Sequence, residues 1–471
     1  MPVVGDAIRF GTGPVRLRAR WVVPVHLPPI ENGEVTVENG VITFIGKAFG
    51  PVDRNTHDFG MAAIVPGFVN VHAHLEYTVM RGLLEDMAFF PWIRTLTALK
   101  AYLNLDDWVA SATLGAAEMV AGGITCVADA ADAGASLSAL ATTGLRGIVY
   151  REVFGIEAEP SAAEIVRHLK NRLHDLRSQQ HRLGTGDRVT LGISPHAPYT
   201  VRPDLFAALA EWSQEEDLPQ TIHLAETQAE VDLIRNGTGP FAEMFDRRGI
   251  RWKTPGVSPT RYLADCGALL PGTLVVHTVH LDADDIARLK EAGCAIAHCP
   301  KSNGKLGAGF APVRALRDAD LPIGLGTDSV ASNNNADMFE EMREAVFQSR
   351  ARERDAAALT AGDVFRMATL GGATALGRQG EIGSLERDKR ADLAVVRLDG
   401  LHVTPTADDN PIAALVFGCR ASDVTLTMVG GKVVYESGRH TLINVPHLRQ
   451  SVAEGRRKLV AESAKLAGKV R

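Results

Sequence analysis

Residues 64–74 read IVPGFVNVHAH. An apolar run of strand length stops on His72 and His74, and side chains two positions apart share one face of a strand. The arrangement recurs along the chain. His196 closes GISPHAP, His223 and Glu226 lie in IHLAET, His277 lies in VVHTVHL, His298 ends AIAH, and Asp328 ends GLGTD. Strands that each stop on a histidine or an acid aim several polar side chains at one point. Three imidazoles and a carboxylate, with a position left for water, are the ligand set of a catalytic zinc-like ion. The pattern predicts a metal hydrolase.

Working outward, eight strand candidates occupy the middle of the chain: IVPGFVNVHAH, GITCVADA, LRGIVYREVFG, RVTLGISPHAP, QTIHLAE, TLVVHTVHL, CAIAHCP and PIGLGTDS. Helical stretches such as DDWVASATLGAAEMVAGG and PDLFAALAEWSQEEDLP separate them. This alternation predicts an α/β fold built as a (β/α)8 TIM-type barrel, with its active site at the C-terminal strand ends. The rival, an open doubly wound sheet, gathers its ligands at one switch point instead. The two ends of the chain differ from the middle. RLRARWVVPV, EVTVEN and VITFIGK at one end, and ADLAVVRLDG, VTLTMVGG and KVVYESG at the other, read as strands, with turns at Asn32-Gly33 and Asn39-Gly40. They predict a small β-sandwich domain formed from both chain ends, residues 1–66 and 387–440, around a barrel at 67–386. Residues 441–471 read as a surface helix with a solvated basic face. Two long connections, 76–104 and 234–270, are candidate lids and specificity loops.

The bulk properties narrow the field. A chain of 471 residues with 45% hydrophobic and 23% charged residues is ordinary for a soluble globular protein. A net charge of −6 gives no basic field for a nucleic acid polymer. No stretch of about 18 apolar residues predicts a membrane span, and the N-terminus lacks a secretory pattern. Five scattered cysteines without a C-x-x-C predict reduced thiols in a cytoplasmic protein, with Cys299 a packing residue.

The motifs also suggest roles. If His223 is the third imidazole ligand, Glu226 comes from the turn just beyond and suits a general acid/base for the bound water. Asp328 either completes the metal shell and accepts a proton or caps the helix that follows. His277 is placed to bond the water or the tetrahedral centre, and His280 reads as structural. A metal-bound water titrates near neutrality, which supplies a nucleophile at pH 7. Three histidines and an aspartate suit zinc first, with iron or manganese as alternatives.

VPGFVNVHAH, SPHAPYT, HLAET, HTVHL, HCPKSN and GTDSVASNN resemble, in that order, the motifs of the amidohydrolase superfamily. The branch they are most similar to is the cytosine-deaminase-like one, which holds the S-adenosylhomocysteine/methylthioadenosine, guanine and aminodeoxyfutalosine deaminases and the triazine hydrolases. The resemblance extends to the chain ends through RADLAVV and VTLTMVGGKVV. It implies His72, His74, His223 and Asp328 as ligands of one divalent metal ion per subunit, Glu226 as proton shuttle, and His277 as the residue orienting water and substrate. His196 stands where binuclear relatives carry a bridging lysine, so the resemblance implies a mononuclear site with His196 at the substrate. HLEYTVMRGLLEDMAFFPWIRTL resembles the loop that closes over the base, and with HCPKSN it is most similar to the aminodeoxyfutalosine deaminases. Arg81, Trp92, Arg151, His298, Ser302 and Asn303 are then candidate substrate contacts. Tyr77 and Lys301 depart from the pattern, which carries a smaller residue and an arginine there. The implied activity is hydrolytic deamination of an aminated N-heterocycle in a homodimer, on a small purine-nucleoside-like substrate. 6-Amino-6-deoxyfutalosine ranks first, then methylthioadenosine, S-adenosylhomocysteine, adenosine and guanine; displacement on a triazine ring is the alternative. A catalytically dead scaffold would have lost a ligand or the shuttle, and all six residues are present.

Overall fold

The computed structural model describes residues 13–468, so residues 1–12 and 469–471 of the expected terminal segments lie outside the described residues. The stretch 64–74, read above as one strand, is two. Ala62–Pro66 belongs to a nine-stranded mixed sheet, and Phe68–Ala73 begins a parallel one. Gly67 makes the break: its amide donates to the Asp392 carbonyl, 3.0 Å, and a Cβ there would meet Thr125 Oγ1 at 2.1 Å. Only glycine fits a backbone approached that closely.

The nine-stranded sheet draws on both chain ends. Ala62–Pro66 pairs parallel with Val15–Val22 and antiparallel with Leu393–Arg397. Its apolar face, with Leu17, Val22, Ile42, Ile64, Leu393, Val395 and Leu426, forms a core of its own. Two four-stranded parallel sheets follow. One runs through Phe68–Ala73, Ile124–Ala131, Arg146–Val153 and Val189–Pro195; the other through Thr221–Leu224, Leu274–His277, Ala295–His298 and Ile323–Leu325. Isolated parallel bridges pair Ile193 with Gln220 and Ala73 with Asp328, one at each seam between the two sheets. Every residue of these eight strands is buried except Thr190, as strands covered on both faces require.

The first long connection is ordered as a 3-10 helix, Leu75–Met80, and an α-helix, Phe89–Lys100. The second contains helices Pro240–Arg248 and Pro259–Asp265. They meet through Phe241, whose ring lies 4.9 Å from Phe90 and 4.2 Å from Tyr199. A helix the sequence patterns did not single out, Met338–Glu353, buries Met338, Phe339, Met342, Ala345 and Val346. The C-terminal helix Val445–Gly468 corrects one expectation, because its basic side chains are not all solvated. Lys458 Nζ bonds Asp107 at 2.6 Å, Arg456 donates to the Val79 carbonyl at 3.0 Å, and Leu459 is fully buried. Long basic side chains lay their stems on apolar surface, and here that surface is the first connection and the helix after it. No helix among the described residues is long and apolar enough to cross a membrane.

A buried ion pair fastens the first parallel sheet to the terminal one. Arg146 Nε and Nη2 donate to the Asp392 carboxylate at 2.7 and 3.1 Å, and the Gly430 amide donates to the same carboxylate at 2.7 Å. Removing one partner of such a pair strands the other charge in a dry site. Asp392→Ala should therefore lower unfolding stability by about 3–5 kcal/mol, read as a fall in the urea midpoint. A change below about 1 kcal/mol would show that Arg146 finds solvent without its partner.

Candidate active site

The strand ends converge as the spacing requires. His72 is the fifth residue of Phe68–Ala73 and His74 follows its end; His223 is the third residue of Thr221–Leu224. His277 closes Leu274–His277, and Asp328 lies three residues beyond Ile323–Leu325. Ligand atoms of His72, His74 and His223 lie within 4.8 Å of one another, as do those of His72, His277 and Asp328. Asp328 Oδ1 sits 3.3 Å from His72 Nε2 and 3.6 Å from His74 Nε2. The rings of His74 and His223 are nearly parallel at 5.5 Å, with His72 perpendicular to His74 at 4.9 Å.

These groups fit a divalent cation. His72 Nε2 and His74 Nδ1 are buried with no hydrogen-bond partner among the described residues. Burial lowers the His72 imidazole to about 4 and takes His223 well below its usual range, so both rings keep a free lone pair at neutral pH. Burial alone would raise Asp328, but His72, His277 and His74 outweigh it and hold the carboxyl well below its ordinary range. Neutral imidazoles and an ionised carboxylate are what a cation needs.

The next tier holds these groups in place. His223 Nδ1 meets the His196 carbonyl at 3.0 Å, which fixes that ring by a backbone bond. Ser302 Oγ lies 2.5 Å and Ser332 Oγ 3.1 Å from Asp328 Oδ2, and the Asp328 amide donates to the His72 carbonyl at 2.9 Å. His277 Nδ1 donates to Asn303 Oδ1, 3.0 Å, leaving Nε2 3.7 Å from Glu226 Oε1. Burial raises the Glu226 carboxyl above its usual value, so a proton sits there more readily than in water. Glu230 braces the turn that carries Glu226, its carboxyl accepting from the amides of Ala225 (2.8 Å) and Glu226 (3.1 Å). Four non-glycine residues here adopt the left-handed region: Ala225 (φ 50°), His277 (71°), Thr278 (49°) and Asp328 (55°). Such conformations cost on the order of 1–3 kcal/mol each and persist where surrounding bonds over-determine them.

The remaining candidates sort by place. His196 lies against this cluster, its ring 4.7 Å from His223. His298 is buried with both ring nitrogens unpartnered among the described residues, and burial takes it to about 3. The bonds of Ser302 and Asn303 run to Asp328 and His277. Arg81 is held by Glu118, Arg151 donates to the Ala131 carbonyl at 3.3 Å, and Trp92 packs in the first connection with its Nε1 unpartnered. His280 bonds the Ala308 carbonyl, and Cys299 is fully buried. Tyr77 stacks on His74 at 5.5 Å, and Lys301 pairs with Glu340. Sequence reading missed Glu152, Glu230 and Ser332. Thr227-x-x-Glu230 has the spacing of a capping box and offered a signal for Glu230. An Arg-Glu pair inside the apolar strand Arg146–Val153 offered one for Glu152.

The amidohydrolase family profile matches residues 63–434. The chain is 37% identical over 442 residues to a 5-methylthioadenosine/S-adenosylhomocysteine deaminase of Symbiobacterium thermophilum, covering 92% of this chain and 95% of the relative. An adenosine deaminase from Xanthomonas campestris, solved with bound zinc, superposes with a TM-score of 0.83 at 30% identity, over 95% of this chain and 98% of that one. Atrazine chlorohydrolase from Arthrobacter aurescens superposes with a TM-score of 0.79 over 94% of this chain and all of its own, and at 24% identity it speaks for the fold alone. The chain belongs to the amidohydrolase family, in its deaminase-like branch, and is a hydrolytic enzyme.

Asp328 brings the one negative charge to the four candidate ligands. Asp328→Ala should lower bound divalent metal per chain to well under half of wild type, measured by elemental analysis after desalting. Full occupancy in the variant would remove Asp328 from the ligand set.

Proposed function

We propose that this chain is a metal-dependent deaminase of 6-aminopurine nucleosides, of the methylthioadenosine, S-adenosylhomocysteine and adenosine type. The observation that carries the reading is Glu226, a buried carboxyl beside His277 at the edge of an imidazole and carboxylate cluster that fits a cation. His72, His74, His223 and Asp328 would hold one divalent ion, zinc first. Bound there, such an ion supplies an acidified water as nucleophile at neutral pH.

The protein's own groups carry the protons. Glu226 takes a proton from the attacking water and delivers it to the ring nitrogen beside the amino-bearing carbon. The second proton goes to the departing amine, so one water and one amine become a ring carbonyl and ammonia. A carboxyl raised by burial gives and takes a proton near neutrality with less penalty than an exposed one. His277, its Nδ1 fixed by Asn303, keeps Nε2 turned toward the same centre, and Asp328 stays an acceptor under its two serine donors. The two connections meet at Phe241, which stacks on Tyr199 beside His196, and there they would exclude water from above the site.

The architecture belongs to the same proposal. The eight parallel strands close into a (β/α)8 barrel over 67–386, supported by the two seam bridges. Of the described residues, 13–66 and 387–440 form the second domain, followed by the helix Val445–Gly468. The named relatives favour methylthioadenosine and S-adenosylhomocysteine over 6-amino-6-deoxyfutalosine, which stays in the test as an arm. The test is ammonia release by metal-loaded protein from methylthioadenosine, S-adenosylhomocysteine, adenosine, aminodeoxyfutalosine, guanine and a chlorotriazine. Ammonia from a 6-aminopurine nucleoside is expected, and ammonia from none of the four such nucleosides, with or without turnover of guanine, sinks the reading. Glu226→Gln should lower kcat by about 10²–10⁴-fold with metal content unchanged; a rate within threefold of wild type would take the proton shuttle away from Glu226.

A further inference from the structure

Glu152 has no part in the proton transfers above, yet it faces the same centre. It is the penultimate residue of Arg146–Val153, and its side chain is 2% exposed. Its Oε1 is buried with no hydrogen-bond partner among the described residues. Ligand atoms of Glu152, His196 and His223 lie within 4.8 Å of one another, so this oxygen stands at the wall of the metal cluster. Its neighbour across the wall is His196 Nε2, 3.9 Å away and too far for a hydrogen bond.

The tautomer of His196 follows from its other nitrogen. We assign the Thr200 hydroxyl hydrogen to the Ala197 carbonyl, 3.2 Å from Oγ1, in which case Oγ1 accepts from His196 Nδ1 at 2.8 Å. The ring proton sits on Nδ1, and Nε2 presents a bare lone pair. A buried acceptor, Glu152 Oε1, and a partly exposed one, His196 Nε2, thus face each other across 3.9 Å. Leaving a buried acceptor unmet costs more than a made bond returns, so a ligand that fills the gap must bring donors. A 6-aminopurine has one donor group on its base, the amino group, which has to face the attacking water. Its remaining ring nitrogens accept. The other donors of such a nucleoside are its sugar hydroxyls, and a vicinal diol presents two of them at a spacing that fits two acceptors. Phe154, just past the end of this strand, sets its ring 4.7 Å from the His196 ring.

We propose that Glu152, with His196, is the specificity-determining acceptor pair that receives the vicinal hydroxyls of the substrate's ribose. This rests on the nucleoside deaminase reading. The pair is distinct from the candidate cation ligands His72, His74, His223 and Asp328 and from the proton-moving pair Glu226 and His277, although His196 and Glu152 border His223.

The experiment measures kcat/KM of metal-loaded wild type, Glu152→Ala and Glu152→Gln on adenosine, 2′-deoxyadenosine, 3′-deoxyadenosine and 7-deazaadenosine, with metal content determined for each. Wild type should lose about 30-fold on removal of a hydroxyl that Glu152 receives. Glu152→Ala should lose a similar factor on adenosine and then treat adenosine and that deoxynucleoside alike, with one metal per chain retained. Glu152→Gln, which keeps one acceptor oxygen and the volume of the side chain, should retain part of the discrimination. The inference is overturned if the variants slow all four substrates by one common factor. It is equally overturned if the penalty that vanishes in Glu152→Ala is that of 7-deazaadenosine, which would make Glu152 a donor to the ring. A drop in metal content would make Glu152 a ligand and overturn it too. Wild type inert toward all four nucleosides would bring down the deaminase reading, and this inference with it, while wild type active with deoxynucleosides accepted as well as adenosine would bring down this inference alone.

Discussion

Everything in this molecule answers to one unfavourable act, the gathering of acceptor atoms in a dry place. The nitrogens of His72, His74 and His223 and an oxygen of Asp328 crowd together at the strand ends, where like polarity repels. Burial withholds bulk solvent from these atoms, and a cation would remove the penalty. The protein holds the arrangement by fixing each group from behind: a carbonyl for His223, an amide for His277, two hydroxyls and a backbone bond for Asp328. Left-handed backbone at Ala225, His277, Thr278 and Asp328 is part of the same compromise, since it turns these chain segments sharply where strands would otherwise run on.

Buried carboxyl groups around the site serve as anchors for backbone as much as for chemistry. Glu76 accepts the amides of Asp132, Ala133 and Ala135 at 2.9, 2.7 and 2.7 Å, tying the first connection to the loop after Ile124–Ala131. Asp129 takes the Leu75 amide at 2.7 Å, beside the candidate ligand His74. Glu230 does the same for the turn of Glu226, and burial takes its carboxyl up to about 8. Each of these acids satisfies donors that irregular loops leave open, which is how loops at a buried site stay in one conformation.

Much of this was legible in the sequence because the pattern of apolar run, then histidine or aspartate, is a direct image of strands ending at a common centre. His72, His74, His223, His277 and Asp328 were readable for that reason, and Glu226 from its spacing to His223. The break at Gly67 was not, since what forbids a side chain there is Thr125, far along the chain. Nor was the role of the C-terminal helix, because burial of Leu459 and pairing of Lys458 depend on a surface that assembles only in three dimensions. Ser302 and Asn303 were read as substrate contacts, and the hydrogen bonds they make within the protein run to Asp328 and His277, which the motif alone does not tell. A sequence motif marks which residues sit at a site without saying which neighbour each one touches. Glu152 escaped notice although it follows Arg151 inside an apolar strand, because the sequence does not tell which face of that strand meets the site.

The strand Ala62–Pro66 is buried along its whole length and needs Leu393–Arg397 beside it. On a ribosome making about 5–20 residues per second, the wait between the two is on the order of tens of seconds. During that interval the nascent chain carries an apolar strand with one edge unpaired, the kind of template on which chains associate wrongly. The parallel strands between them, by contrast, can pair with neighbours made shortly before. The junction held by Arg146 and Asp392 is therefore a late event in biogenesis, and the demand of this chain for chaperone protection falls on the early strand Ala62–Pro66, one residue before the strand that carries His72.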